Sequence, residues 1–254
     1  MIIAGIDVSE ILPFIAIGFA AQLVDGALGM AFGVISSTMM VGVLGLPPAA
    51  ASQRVHIVEC FTTATSGISH LLHGNIDKRL FFRLLIPGMI GGVLGAYVLT
   101  SLDAGIVKPF VLLYLASIGL YILWRGLMYP PRIKEAKLIA PLGLFGGFLD
   151  AAGGGGWGPV VTSNLLIQGA DPRKVVGTVN SVEFFLTLTV SAAFLYHLGI
   201  ADLAGATLGL LVGGIAAAPL GAWAAKHLPA KQMLILVGFV LTLTSAFGVY
   251  KAWF

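Results

Sequence analysis

The sequence predicts an all-α integral membrane protein with two inverted-topology repeats, each consisting of one broken, re-entrant helical hairpin and three transmembrane helices. Hydrophobic residues make up 58% of the 254 residues and charged residues only 10%, whereas a soluble domain carries about 25% charged residues. The mean hydropathy is +0.99. The apolar runs are continuous rather than alternating, which favours helices over barrel strands. The two halves of the chain also resemble each other in sequence.

Hydropathy divides the chain into eight blocks, of which the first and fifth are the longest. The blocks cover residues 11–45, 48–73, 80–101, 106–128, 138–168, 174–198, 203–226 and 231–253. After the fourth block, two prolines and mixed charges indicate a cytoplasmic linker at 130–137. This linker separates a first repeat, 1–129, from a second, 138–254. The first ten residues contain Asp7 and Glu10 but no Lys or Arg, so no cleaved signal peptide is expected.

The first and fifth blocks each contain a glycine-rich break with one carboxylate. The first reads QLVDGALGMAFG from Gln22 to Gly33 and includes Asp25; the second reads FLDAAGGGGWGP from Phe148 to Pro159 and includes Asp150. An interrupted helix survives at membrane depth only where protein or a water-filled cavity surrounds it. Breaks at corresponding places in two halves indicate a transporter's substrate site. The alternative is close helix packing by glycine, with Asp capping a half-helix.

The two halves align with almost constant offset. A shift of 125 residues places Asp25 on Asp150, Phe32 on Trp157 and Gly33 on Gly158. A shift of 124 aligns the following pairs: Pro48 with Pro172, His56 with Asn180, Glu59 with Glu183, Phe61 with Phe185, Thr63 with Thr187 and His73 with His197. Rare polar residues recurring in the same order indicate a duplication of one long unit.

The distribution of Lys and Arg predicts the orientation of the repeats. If the first and fifth blocks are hairpins that enter and leave by one face, eleven basic residues share one side, and only Arg54, Lys108 and Lys251 lie on the other. This bias selects the hairpin arrangement, with inverted halves and both termini outside. The arm at 11–24 has 14 residues, about 21 Å of helix, which is too short to cross about 30 Å of hydrocarbon.

The second block carries a polar stripe at spacings of three and four residues, which is one face of a helix. The stripe consists of Ser52, His56, Glu59, Thr63, Ser66 and His70, and the sixth block repeats it through Asn180, Glu183, Thr187 and Ser191. The hydroxyl residues are expected to bond neighbouring helices. Glu59 and Glu183 are expected near the midplane, where they either accept hydrogen bonds from unwound backbone or carry protons, and both roles remain open.

A short polar cluster follows each break, at 36–38 and 162–164. Helix N-termini directed at the midplane favour an anion, and glycine lets the backbone approach such a ligand closely. Arg54 either reaches inward or extends to the lipid headgroups. The predicted substrate-binding residues are Gln22, Gly29, Gly33, Ser36, Ser37, Arg54, His56, Gly155, Gly156, Trp157, Thr162, Ser163 and Asn180, and the predicted proton-coupling residues are Asp25, Glu59, Asp150 and Glu183.

These motifs resemble the sulfite exporter TauE/SafE family, also called the toluene sulfonate uptake permease family. The resemblance rests on QLVDGALGMAFG, on His56 and Glu59 followed by FTTATSGISH, on LDAAGGGGWGP, and on GTVNSVEFF with Asn180 and Glu183, and it covers essentially the whole chain. It implies proton-coupled transport of sulfite, sulfonates or related small anions across the bacterial cytoplasmic membrane. Members differ in substrate and direction, so the resemblance settles neither.

Other classes of function find less support in the sequence. A passive anion channel would use the same positive helix ends without a coupling proton, and a membrane subunit of a larger uptake system is a further alternative. No nucleophile or metal constellation indicates an enzyme, a metal site or a cofactor, and Cys60 is the one cysteine. The net charge of +3 without a basic cluster argues against nucleic acid. Expected partners are a small anion, protons and the lipid bilayer, with a homodimer left open.

Overall fold

The computed structural model describes residues 2–3, 6–28, 30–128, 138–167, 172–200, 203–227 and 229–253 and consists almost entirely of helices, as predicted. The helices are α1 (Val8–Leu28), α2 (Phe32–Ser37), α3 (Pro48–Leu72), α4 (Lys78–Ser101), α5 (Ala104–Leu127), α6 (Ile139–Gly153), α7 (Ser163–Ile167), α8 (Pro172–Leu198), α9 (Ala204–His227) and α10 (Ala230–Trp253). Two π-helical segments, Thr38–Val43 and Trp157–Thr162, extend α2 and precede α7. Ahead of α1, strand β1 (Ile2–Ile3) pairs antiparallel with β2 (Ile6–Asp7), which hydropathy did not indicate.

Side-chain caps explain why two helices begin earlier than their hydropathy blocks. Asp77 accepts hydrogen bonds from the backbone N–H groups of Arg79 and Leu80, at 2.9 and 3.1 Å, and so starts α4 within a charged stretch. Asp103 starts α5 in the same way. Hydropathy misses these first turns because their residues are polar or small.

Both predicted breaks are present, between Leu28 and Phe32 and between Gly153 and Trp157. The second begins at Gly154, whose φ of 72° is a common helix-ending conformation for glycine. The predicted length of the first arm is wrong, because Asp25 does not end the helix and α1 continues for 21 residues. This corresponds to about 32 Å, so arm length does not separate a re-entrant arm from a full crossing. Gly29 and the linker at 130–137 lie outside the described residues.

Length and composition make α4, α5, α8 and α10 candidate membrane spans. In α3, which has 25 residues, the polar stripe lowers the hydropathy, and in α9 the apolar stretch covers Ala204–Ala218. Large apolar side chains are well exposed on these helices, for example Phe82 at 66% and Phe110 at 61%. Such a surface suits lipid rather than water. The protein is therefore a multi-pass membrane protein.

The helices of the two halves interlock. Helix α1 packs against α9, and the equivalent helix of the second half, α6, packs against α4; α3 pairs with α8 and α5 with α10. Glycine permits the first two contacts, since a Cβ at Gly18 would overlap the backbone of Leu210 and one at Gly91 the backbone of Leu144. This reciprocal pairing places the two breaks next to each other at the centre. The orientation of the halves in a membrane stays a prediction.

Candidate functional site

The two breaks repeat one hydrogen bond. The Asp25 carboxylate accepts from the Phe32 backbone N–H at 3.3 Å, and the Asp150 carboxylate accepts from the Trp157 N–H at 2.9 Å. In each break, the carboxylate thus caps the helical segment that resumes seven residues later. The capping role considered from the sequence is therefore present at both positions, and each carboxylate keeps a second oxygen for other contacts.

The two breaks also touch each other. A Cβ at Gly33 would lie 2.8 Å from the Cα of Gly155, and a Cβ at Gly155 would overlap the Gly33 backbone. Gly155 adopts a φ of 141°, which L side chains rarely adopt. The space left by the missing side chains is therefore filled by the backbone of the opposite half. Close approach of the two halves is the physical reason for these glycines.

Side-chain hydroxyl groups bind the carbonyl groups that the second break frees from helical hydrogen bonding. Ser52 donates to the Ala151 oxygen at 2.7 Å, Ser37 donates to the Gly154 oxygen, and Tyr114 donates to the Gly155 oxygen at 3.0 Å. These donors come from three different helices. Unwound backbone in a membrane protein requires such partners, and they fix the second break in place.

A fully buried histidine and a buried carboxylate bond next to the second break. His56 Nδ1 lies 2.7 Å from the Ser52 carbonyl oxygen, which only accepts, so Nδ1 carries a proton. His56 Nε2 lies 3.1 Å from Asp150 Oδ2. A hydrogen bond there requires one more proton, on either the ring or the carboxyl group. The histidine ring and the carboxyl group therefore share one proton, which lies between His56 Nε2 and Asp150 Oδ2.

A cavity of about 270 Å³ lies beside the touching breaks. Its walls come from α1, α2, α3, α6, α8, the π-helical segment Trp157–Thr162 and both breaks. The lining residues are Gln22, Asp25, Met30, Ala31, Phe32, Gly33, Val34, Glu59, Thr62, Thr63, Ser66, His70, Asp150, Gly155, Gly156, Gly158, Pro159, Val176, Asn180 and Glu183. Four carboxyl groups, two from each half, therefore line one cavity.

The polar stripe of α3 divides between two environments. Ser52 and His56, near the start of the helix, bond the second break, whereas the stripe from Glu59 to His70 lines the cavity. Glu59 and Glu183 are each the twelfth residue of their helices. Glu59 is 6% exposed, and its Oε2 has no hydrogen-bond partner among the described atoms. Asn180 donates to Ser66 Oγ at 2.8 Å and so joins α8 to α3.

The structure brings nine of the seventeen predicted site residues to the cavity. They are Gln22, Asp25, Gly33, Glu59, Asp150, Gly155, Gly156, Asn180 and Glu183. The other described ones lie behind its wall: His56, Ser36, Ser37, Thr162 and Ser163 are at most 1% exposed, and Arg54, at 9%, donates to the Ala50 oxygen at 2.8 Å. Trp157 is fully buried, and its ring nitrogen donates to the Val179 oxygen at 3.3 Å.

Sequence reasoning assigned some cavity residues to structure and missed others. Thr63, Ser66 and His70 belong to the recognised stripe. Their spacing of three and four residues indicates that they share a helix face with Glu59. Thr62 lies one residue off that period. Tyr114 was missed because it stands alone in the apolar run of α5, and only the fold shows that its hydroxyl reaches the second break.

Comparisons with known proteins agree with this description. The sequence profile of the family described as "Sulfite exporter TauE/SafE" matches residues 14–248. A Bacillus subtilis protein named "Probable membrane transporter protein YtnM" is 42% identical over 96% of this chain and 84% of its own length. A Haemophilus influenzae "Probable membrane transporter protein" is 24% identical over 98% of both chains. No solved structure gives a significant match.

Proposed function

Because the chain belongs to the sulfite exporter TauE/SafE family, we propose that this membrane transporter is a secondary transporter of a small sulfur-containing anion, sulfite or an organosulfonate, coupled to protons. The observation that carries the proposal is the cavity between the two touching breaks. Paired broken helices that meet beside a cavity are the arrangement expected of a transporter's substrate site. Both curated relatives bear transporter names, which supports transport rather than catalysis.

In this proposal, the anion occupies the cavity between Gln22, Asn180 and the backbone of the two breaks. Gln22 supports this position because it lines the cavity and carries an amide NH₂ group, a neutral donor that an anion can accept from. The carboxyl groups of Asp25, Glu59, Asp150 and Glu183 take up and release protons as the site changes sides. Ionisable side chains inside membrane proteins commonly serve as proton relays, which supports this assignment.

The proposed location is the bacterial cytoplasmic membrane, with inverted repeats and both termini outside. The excess of basic residues on one side supports this orientation. A reporter fused after Tyr129 should report the cytoplasm, and an external signal would contradict the inverted arrangement. A homodimer would be detected by the mass of the detergent-solubilised protein.

The test of the proposed function is uptake by the purified protein in liposomes. Sulfite and a panel of alkyl and aryl sulfonates would be supplied with and without an imposed pH gradient. Uphill accumulation of one compound that requires the gradient is the expected result. Downhill flux alone would favour a passive channel, and the absence of flux for every compound would contradict the proposal.

A further inference from the structure

The charge of the cavity wall is unusual for an anion site. Four carboxyl groups face the space, and no Lys or Arg side chain among those that the structure describes lines it. Asp25 and Asp150 each use one oxygen to cap a break, whereas Glu59 Oε2 has no such partner within the described part of the chain. An anion entering this cavity meets negative charge unless the carboxyl groups are neutral.

The two histidines nearest to these carboxyl groups do not supply a free positive charge. His56 bonds Asp150, and this pair shares a single proton. His70 lines the cavity, but its Nδ1 lies 3.2 Å from Asn75 Nδ2, an amide nitrogen that only donates. The ring nitrogen therefore accepts, and His70 is neutral in this arrangement.

Two further titratable side chains near the carboxyl groups, Tyr114 and Cys60, make hydrogen bonds to other groups. Tyr114 donates to the Gly155 oxygen, and Cys60 Sγ lies 3.5 Å from Ser191 Oγ. Besides Glu59, the titratable groups in and around the cavity are Asp25, His56, Cys60, His70, Tyr114, Asp150 and Glu183. Among them, His56 alone is placed to balance a carboxylate, and it balances one.

We propose that the cavity accepts its anion only when its unbalanced carboxyl groups carry protons, so that anion and protons travel together in the same direction. This inference rests on the proposed function and adds the sign of the coupling. A protonated Glu59 presents an O–H donor to the cavity, and the anion is the acceptor that this oxygen lacks. An ionised Glu59 presents a second negative charge, which opposes anion binding in a low-dielectric site.

The direction of transport follows from this sign. Protons and anion that bind together from one side are released together on the other, so the transmembrane proton gradient sets the direction of net anion movement. Where the gradient is directed into the cell, this coupling drives uptake. Export against such a gradient would require the opposite sign, in which the anion and a proton occupy the cavity in turn.

The decisive experiment reads the proton movement that accompanies anion entry. Purified protein is placed in liposomes containing a pH-sensitive dye, with the membrane potential clamped and no initial pH gradient. Ethanesulfonate is the first probe, because it remains an anion between pH 5 and 8 and its own titration does not confuse the signal; sulfite follows as the second. Radiolabelled probe measures the anion flux in parallel. Acidification of the liposome interior together with anion entry is the expected result.

The outcomes separate this inference from the proposed function. Anion entry with interior alkalinisation, or with no proton movement, would overturn the same-direction coupling and leave a transporter or channel standing. No entry of either probe would overturn the proposed function itself, and the inference with it. Neither reading requires a variant, so the test does not depend on a substitution that prevents folding.

Glu59→Gln identifies the carrier, because an amide is neutral at every pH. Wild-type affinity for the probe should fall about tenfold per pH unit above the midpoint for each linked proton. In Glu59→Gln this fall should lose the share of one proton, about tenfold per pH unit, and Glu183→Gln provides the corresponding test at the second glutamate if the first variant does not fold. The control is Asp103→Asn, which keeps the exposed cap of α5 and should retain the wild-type profile. Wild-type pH dependence in both Gln variants would contradict the assignment.

Discussion

Among the residues that the structure describes, the second break is bonded by more side chains than the first, although the two motifs align in sequence. Asp150 is 2% exposed and bonds both Trp157 and His56, and three hydroxyl groups bind the adjacent carbonyls. Asp25 is only partly buried, with a longer bond to Phe32 at 3.3 Å. The residue aligned with His56 is Asn180, which bonds Ser66 instead.

This difference indicates that the two breaks are stabilised unequally. The second is the more firmly bonded, because its carboxylate and freed backbone make hydrogen bonds to protein groups. The first keeps its carboxylate beside the cavity with one described backbone contact, and it contains Ala31 at a φ of 124°. A non-glycine residue in that region is strained, and such strain is compatible with a segment that changes conformation.

Removing each carboxylate gives the largest expected contrast between the breaks. Asp150→Ala leaves His56 buried without its partner and removes the Trp157 cap, so unfolding free energy should fall by about 3 to 5 kcal/mol. Asp25→Ala should lose about 1 kcal/mol, as for a helix cap. Thermal unfolding in detergent measures both, with Asp103→Ala as an exposed-cap control. Equal losses at positions 25 and 150 would show that the breaks are held alike.

A substitution at Gly155 tests whether the contact between the two breaks depends on glycine in the second break. Met30 occupies the aligned position in the first break, so the contact pairs Gly155 with Gly33 rather than with its own counterpart. Gly155→Ala should cost about 1 to 3 kcal/mol from its positive φ and a similar amount from overlap with Gly33.

The matched control for this substitution is Gly199→Ala. Gly199 has a φ of 71° and nothing within 4 Å of the added methyl group, so only the backbone term should appear. The difference in melting temperature between the two variants reports the contact between the breaks together with the extra backbone strain of a φ of 141° over one of 71°. If the two variants melt together, Gly33 and Gly155 do not touch in the folded protein.

Exchanging the histidine makes the second break resemble the first. His56→Asn retains an amide N–H that can donate to Asp150, so the expected loss is about 1 kcal/mol, the value of one hydrogen bond. His56→Leu offers no donor and should lose clearly more. The same thermal assay compares the two variants, and a similar loss in both would mean that hydrogen bonding to Asp150 contributes little.

The smallest expected effect comes from relieving the first break. Ala31→Gly removes the strain of a φ of 124° but makes the unfolded chain more flexible, so a gain of at most about 1 kcal/mol is expected. The aligned residue is Gly156, where a methyl group would overlap the Tyr114 hydroxyl, and Gly156→Ala should destabilise. Changes of opposite sign in the melting temperatures of the two variants would support different roles for the two breaks. A lower melting temperature in Ala31→Gly would contradict backbone strain at position 31.

Local pattern was enough to predict much of the fold. The two breaks, the start of α3 at Pro48, and the shared face of Glu59 and Thr63 all follow from periodicity and composition within one segment. The offset of 125 residues also anticipated the equivalent bonds of Asp25 and Asp150. These features are encoded within short stretches, so a single sequence displays them.

Contacts between distant segments could not be predicted in the same way. Serine at position 37 was expected beside the ligand, yet it donates to the Gly154 carbonyl, because unwound backbone needs a donor wherever the fold supplies one. Tyr114 serves the same purpose from a helix with no local signal. Helix length was also underestimated for α1, since an acidic side chain that bonds ahead along the chain does not interrupt its own helix.

The interlocked packing of the halves has a consequence for how the chain is made. Helix α1 ends at Leu28, but the helix that covers its glycine-containing face, α9, begins at Ala204. During synthesis, α1 enters the bilayer long before its partner exists, whereas α6 finds α4 already in place. Lipid or an insertion factor must cover the α1 face during that interval. Biogenesis is thus asymmetric, and the second half completes the first.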